Sequence, residues 1–210
     1  MAVDIFPLIA GERRRLADAL ELLTPEAWDS PSLCAGWTVH MVAAHLNSPW
    51  EASIPSILIE VIRARSLAGG FDRLARKIAV ALPPAACVAG LREHADSRFT
   101  PPGFGPEAPL TDVIVHGADM LTPFGPSVEI DPVALVTSLD FLTRGRSKGF
   151  VAKGRIDDLV FEASDLDFRG GPGPLVVRGP ALALCGGLCG RRSFLGQLSG
   201  EGFDTLSVRI

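Results

Sequence analysis

The feature that most constrains this fold is a change of periodicity close to residue 148. Before it, apolar residues recur three and four apart, the spacing of one helical face. After it, short β-rich runs alternate with glycine and proline. The first part predicts helices over residues 4–23, with Phe6, Ile9, Leu16, Leu20 and Leu23 inward and Arg13–Arg15 outward, and over 71–82, 84–98, 111–121 and 131–146. A short turn carries Trp28, and another helix starts at Thr38. Pro49 and Pro55 predict a kink or break between Asn47 and Ser56, because proline disfavours helical geometry in the residue before it. Ser48-Pro49-Trp50-Glu51 has the order of a new helix start, and the helix then runs to about Ala68. Gly69-Gly70 reads as a turn, and Phe99–Pro109, with four prolines and two glycines, as an irregular loop.

The second part predicts strands over 155–162, 165–169 and 175–178, with Gly170–Gly173 as a hairpin turn. A small-residue helix follows over 180–189, and a last strand over 203–210. The expected class is α+β: a helical bundle over residues 1–149 and a small α+β domain over 150–210.

Composition matters for what it excludes. With 47% hydrophobic residues, 210 residues can bury a sizeable core. A net charge of −4 argues against a nucleic-acid partner, which wants a basic face. The run Ile78–Leu91 is too short for a membrane span and is broken by Pro83-Pro84, and residues 1–6 lack the basic start of a signal peptide. Four cysteines without regular spacing make no disulfide framework. These readings together predict a soluble cytoplasmic protein with reduced thiols and no membrane partner.

The candidate chemistry lies in two stretches. In Leu33–Leu46, Gly36 and Thr38 form a loop and a cap, and Val39, Val42 and Leu46 an apolar stripe. His45 falls at the edge of that stripe, whereas His40 faces away from it and, like His94, reads as a surface residue. In Thr111–Leu121, Asp112 and His116 are four apart and share a face, with Asp119 one turn on. A carboxylate and an imidazole at that spacing can bind one divalent cation. With His45 they make three protein ligands and leave room for water or substrate, as in open catalytic sites. Asp119 could then orient a ligand histidine. By spacing alone, the same residues also fit the solvated face of an amphipathic helix and a hydrogen-bonded core histidine. Cys185 and Cys189 read as small buried thiols, and Cys34 as structural.

Trp28, Pro31-Ser32-Leu33-Cys34-Ala35-Gly36-Trp37-Thr38-Val39 and Ala44-His45-Leu46 resemble the N-terminal signature of the mycothiol-dependent maleylpyruvate isomerase family, in the DinB-like superfamily. Val115-His116-Gly117-Ala118-Asp119 with Gly125 resembles its second signature, and Asp165, Gly173-Pro174, Gly179-Pro180 and Gly190-Arg191 resemble its small C-terminal domain. The resemblance covers nearly the whole chain. It implies an up-and-down four-helix bundle that binds a divalent metal, most often zinc, through His45, Asp112 and His116. The family pattern has Glu where this chain has Asp112. It further implies the thiol cofactor mycothiol, an actinobacterial cytosol and a small electrophile, with or without a carboxylate, as substrate. Arg191 is then the candidate catalytic cation, and a helix C-cap is its other reading. The function expected is isomerisation or thiol transfer with a metal-activated thiolate as nucleophile. The alternative from another class is a bundle that binds metal for a structural, sensing or ligand-binding role.

Overall fold

Thr38 begins the central helix as its sequence requires. Its side chain accepts the Met41 N–H (3.3 Å), and Val39, Val42, Ala43 and Leu46 are buried along the helix it caps. The computed structural model describes residues 4–125, 129–145 and 147–210. In chain order these form α1 (Phe6–Glu21), α2 (Pro25–Asp29), α3 (Val39–Glu51), α4 (Ile54–Ala64), α5 (Leu67–Ala81), α6 (Pro84–Glu93), α7 (Glu107–Leu121), a 3-10 turn (Thr122–Phe124) and α8 (Pro132–Thr143). Then come β1 (Leu159–Ala163), β2 (Arg169–Gly170), β3 (Leu175–Gly179), α9 (Ala181–Leu188), a 3-10 segment (Arg192–Gln197) and α10 (Phe203–Val208). The class is α+β, helical first and with a small sheet after.

Two compact units emerge from the packing. One comprises Ile9–Phe99 and His116–Val128, the other Met1–Leu8, Thr100–Val115 and Glu129–Ile210. The division differs from a single break at residue 149. The α8 helix packs against α9 and β2, and so groups with the C-terminal elements. The expected end of α8, Arg146, lies outside the described residues.

In the first unit the breaks fall where backbone chemistry allows them. The α3 helix runs through Pro49 to Glu51, and the new start is at Ser53, whose hydroxyl accepts the Ser56 N–H, not at Ser48. Ser48 is itself buried inside α3. Gly69-Gly70 is not a turn. Arg65 makes the turn in the left-handed region (φ 54°), Ser66 caps α5, and both glycines lie in the first turn of α5. Their use is a close helix crossing. A Cβ on Gly70 would sit 2.7 Å from the Val61 Cα and 2.9 Å from its nitrogen. Arg13 is buried rather than outward: its Nη1 donates to the carbonyls of His94, Ala95 and Ser97, and its guanidinium lies over the Trp50 ring.

In the second unit β1 is the middle strand, antiparallel to β2 and parallel to β3, in the order β2-β1-β3. Gly170–Gly173 is therefore a crossover and not a hairpin turn. The chain passes beneath the start of β1, where a Cβ on Gly173 would stand 1.9 Å from the Asp158 carbonyl carbon. Residues 203–208 are helical rather than a strand, because the outer edge of β3 is already taken. Arg178 and Ser199 exchange backbone hydrogen bonds, and the Gly202 N–H donates to Val176. Among the described residues no single helix is long and apolar enough to cross a membrane.

Candidate metal centre

The α7 helix is buried over most of its surface, which removes the solvated-face reading of His116 and Asp119, while Asp112 is half-buried. Val113, Ile114, Val115, Ala118 and Met120 are core residues, His116 is 8% exposed and Asp119 is fully buried. Helical spacing brings Asp119 Oδ2 to 3.0 Å from His116 Nδ1. With the Asp119 carboxylate as acceptor, Nδ1–H is the donor of this contact, and the ring is oriented by it. Histidines that bind metals are typically oriented by such a second hydrogen bond.

His45 arrives from α3, where it is half-buried beside the core residues Ala44 and Leu46. Its ring stands 5.0 Å from that of His116, nearly perpendicular at 77°. Asp112 precedes His116 by one turn on the same helix. A ligand atom each from His45, Asp112 and His116 all lie within 4.8 Å of one another. Bond lengths of about 2.0–2.2 Å to one cation fit donors at such separations after small side-chain rotations. Two imidazoles and one carboxylate suit zinc or a related divalent ion and provide three protein ligands.

A second group shares His116. Cys34 Sγ lies within 4.8 Å of ligand atoms of His116 and Asp119. Sequence reasoning took Cys34 as structural, and its loop is indeed pinned. Ser32 Oγ accepts the Cys34 N–H, and the Leu33 N–H donates to the Asp119 carbonyl at 2.9 Å. The fold nevertheless places its sulfur beside the histidine pair, which nothing in Cys34's sequence context marks.

Aromatic rings complete the surroundings. Trp37 lies 6.1 Å from the His116 ring and nearly parallel to it, at 19°. It is 5.2 Å from the His45 ring and tilted by 58°. Phe71, from α5, meets His45 edge-on at 5.8 Å. Trp37 belongs to the recognised signature, but Phe71 and Asp72 carry no sequence signal that separates them from the rest of an amphipathic helix.

The remaining histidines and cysteines are accounted for elsewhere. His40 is not a plain surface residue: its Nε2 is 2.7 Å from the Leu82 carbonyl, and its ring meets Trp28 edge-on. His94 stacks on Trp50 at 4.6 Å. No disulfide forms among the described residues. Burial pushes the Cys87 thiol up to about 12, and Cys185 well above its ordinary value, so both stay protonated.

Arg191 follows the end of α9. The Gly190 and Arg191 N–H groups donate to Gly187 and Gly186, a helix-closing pattern, and Arg191 Nη1 donates to the Cys189 carbonyl at 2.8 Å. The C-cap of α9 is Cys189, and Arg191 stands two residues beyond it with its guanidinium on the cap's carbonyl.

The family model described as "Mycothiol maleylpyruvate isomerase N-terminal domain" matches residues 9–99. Among solved structures, a crystal structure of mycothiol-dependent maleylpyruvate isomerase matches with 18% identity and a TM-score of 0.57, over 93% of this chain and 90% of the other. A mutant of that enzyme matches over the same shares of both chains with 18% identity and a TM-score of 0.58. At that identity the likeness establishes a shared fold. No curated protein sequence matches the chain.

Proposed function

Residues 9–99 belong to the mycothiol maleylpyruvate isomerase N-terminal domain family, and from that premise we propose that this chain is a metal-dependent enzyme using a low-molecular-weight thiol, mycothiol, in the cytoplasm. The observation that carries the reading is the convergence of His45, Asp112 and His116, with Asp119 holding the His116 ring. His45 and His116 would hold the cation through ring nitrogens, and Asp112 would add the anionic ligand. A divalent cation there, zinc by its donor set, supplies the Lewis acidity that keeps a coordinated thiol deprotonated near neutral pH.

Every other part of the mechanism falls to the chain. Asp119, hydrogen-bonded at His116 Nδ1, would orient the ring and leave Nε2 for the cation. Trp37 and Phe71 press on the His45 ring and limit the water around it. Arg191 is our candidate cation for a substrate carboxylate, on the resemblance alone. A thiol held there would supply a nucleophile for a conjugated alkene carbon, the π bond breaking and its electron pair passing to the adjoining carbonyl as an enolate. Rotation about the resulting single bond and return of that pair with loss of the thiolate would give isomerisation, and protonation of the enolate carbon with the C–S bond kept would give thiol transfer.

The test is consumption of mycothiol in the presence of maleylpyruvate and other small electrophiles, with and without Zn²⁺. Metal-dependent turnover supports the proposal. A protein that binds Zn²⁺ yet turns over none of the panel is instead a metal-binding bundle with a structural or sensing role. Asp119→Asn supplies a second measurement. It weakens the acceptor for His116 Nδ1–H, and Zn²⁺ affinity is expected to fall about 10–100-fold, read by competition with a chromophoric chelator. An unchanged affinity would remove Asp119 from the mechanism.

A further inference from the structure

The indole of Trp37 touches both imidazoles, yet Trp37 sits in a loop, where a side chain has little to hold it. What holds it comes from α5. Its Nε1–H donates to Asp72 Oδ1 at 2.8 Å. Arg76, one turn further on α5, donates from Nε to both Asp72 oxygens (3.1 and 3.0 Å) and from Nη2 to Oδ1 (3.0 Å). The same Nη2 donates to the carbonyl of Gly36, the residue before Trp37, at 3.2 Å. The network is thus a closed loop through Asp72, Arg76, the Gly36 carbonyl and the Trp37 indole.

We propose that Asp72 is a positioning residue for the His45–His116 pair, acting through Trp37. The inference rests on the metal-centre reading above and adds a residue that the recognised signatures do not contain. The torsion that orients an imidazole is broad and roughly two-fold, so ring direction must come from neighbours. Asp119 directs His116 from one side. His45 is confined by rings, Phe71 edge-on and Trp37 tilted. Trp37 is common to both histidines, and its own orientation depends on a single directed bond to Asp72. An ion pair as exposed as Asp72–Arg76 contributes little to stability by itself. Its weight lies in where it holds the indole. The hydrogen bond from Arg76, with a smaller contribution from Trp37, keeps the Asp72 carboxyl below the usual carboxylate range, so it is a charged acceptor at neutral pH.

The experiment is a Co²⁺ titration of the full chain, read by the visible absorption of the bound ion and by quenching of tryptophan fluorescence, with a thermal melt of each variant. Asp72→Ala is expected to weaken Co²⁺ binding about 10–100-fold and to alter the visible spectrum, with little change in melting temperature. Asp72→Asn keeps an oxygen acceptor for the indole and is expected to bind within about threefold of wild type, by the same hydrogen-bond argument. Trp37→Phe keeps a ring and loses the donor. It should reproduce the Asp72→Ala loss, and the double variant should lose no more than either alone. Asp72→Ala with wild-type affinity overturns the inference and leaves the metal centre standing. Equal losses in Asp72→Ala and Asp72→Asn, matched by equal falls in melting temperature, also overturn it, since the role would then be structural. Wild-type protein that takes up no Co²⁺ overturns the metal reading, and this inference with it.

Discussion

His45→Ala is expected to lower the affinity of the protein for Zn²⁺ by on the order of a hundredfold to a thousandfold. Structural zinc sites gain about 10–16 kcal/mol in total, so each of three or four ligands carries about 3–4 kcal/mol, and 1.4 kcal/mol is a factor of ten. His45 is the candidate ligand whose removal is cleanest to interpret. It is half-buried, its neighbours on α3 hold the core without it, and its rings of contact are Trp37, Phe71 and His116. Its loss leaves two donors on one helix, Asp112 and His116, too few to enclose an ion. Equilibrium dialysis against a buffered Zn²⁺ series, on protein purified without a histidine tag, measures the change. Equal metal content in wild type and variant would falsify the ligand assignment. Cys34→Ser serves as the companion, because Cys34 shares His116 with the alternative donor group. A loss confined to Cys34→Ser would move the ion to the sulfur side of His116.

Gly173→Ala is expected to destabilise the chain by about 3 kcal/mol or more. The added Cβ would stand 1.9 Å from the Asp158 carbonyl carbon and 2.2 Å from its Cα, and these are backbone atoms. No side chain can move to relieve the overlap. Relief requires the crossover to lift away from the start of β1. That pulls on the Gly173 N–H, which donates to Leu159, and on the Leu175 N–H, which donates to Asp158. The parallel pairing of β1 with β3 begins at those residues. Urea unfolding followed by far-ultraviolet circular dichroism gives the number. Gly196→Ala is the control: nothing lies within 4 Å of its added carbon, and a change within about 1 kcal/mol is expected. A Gly173→Ala variant as stable as this control would mean that the crossover does not run where it is described.

Local chemistry was legible along the chain. Thr38 and Asp131 cap α3 and α8 as their positions require, because a side-chain oxygen next to orphan amides needs no partner from elsewhere. The 3.6-residue period gave α1 and α8 within a turn, since the buried face is written into the spacing, whereas α7 begins at Glu107, inside the stretch Phe99–Pro109 whose prolines read as a loop. The Gly69-Gly70 pair was misleading for a related reason. Glycine marks either freedom of the backbone or close approach to it, and only the position of Val61 decides which. Residues 203–208 have strand composition and form a helix, because strand identity depends on a free edge and Ser199–Gly202 occupies it. The order β2-β1-β3 was likewise beyond reach of pattern, since a crossover and a hairpin use the same glycines.

The amino-acid sequence alone determined which residues offer donor atoms and which of them share a helical face: Asp112, His116 and Asp119 by spacing, and His45 at the edge of an apolar stripe. Those are properties of a few consecutive turns and need nothing distant. Only the tertiary structure decided that the His45 and His116 rings meet, that Asp119 is buried against His116 Nδ1, and that Cys34, Trp37 and Asp72 stand around the pair. Contacts between residues tens of positions apart are set by how whole helices pack, and no short window of sequence encodes that packing.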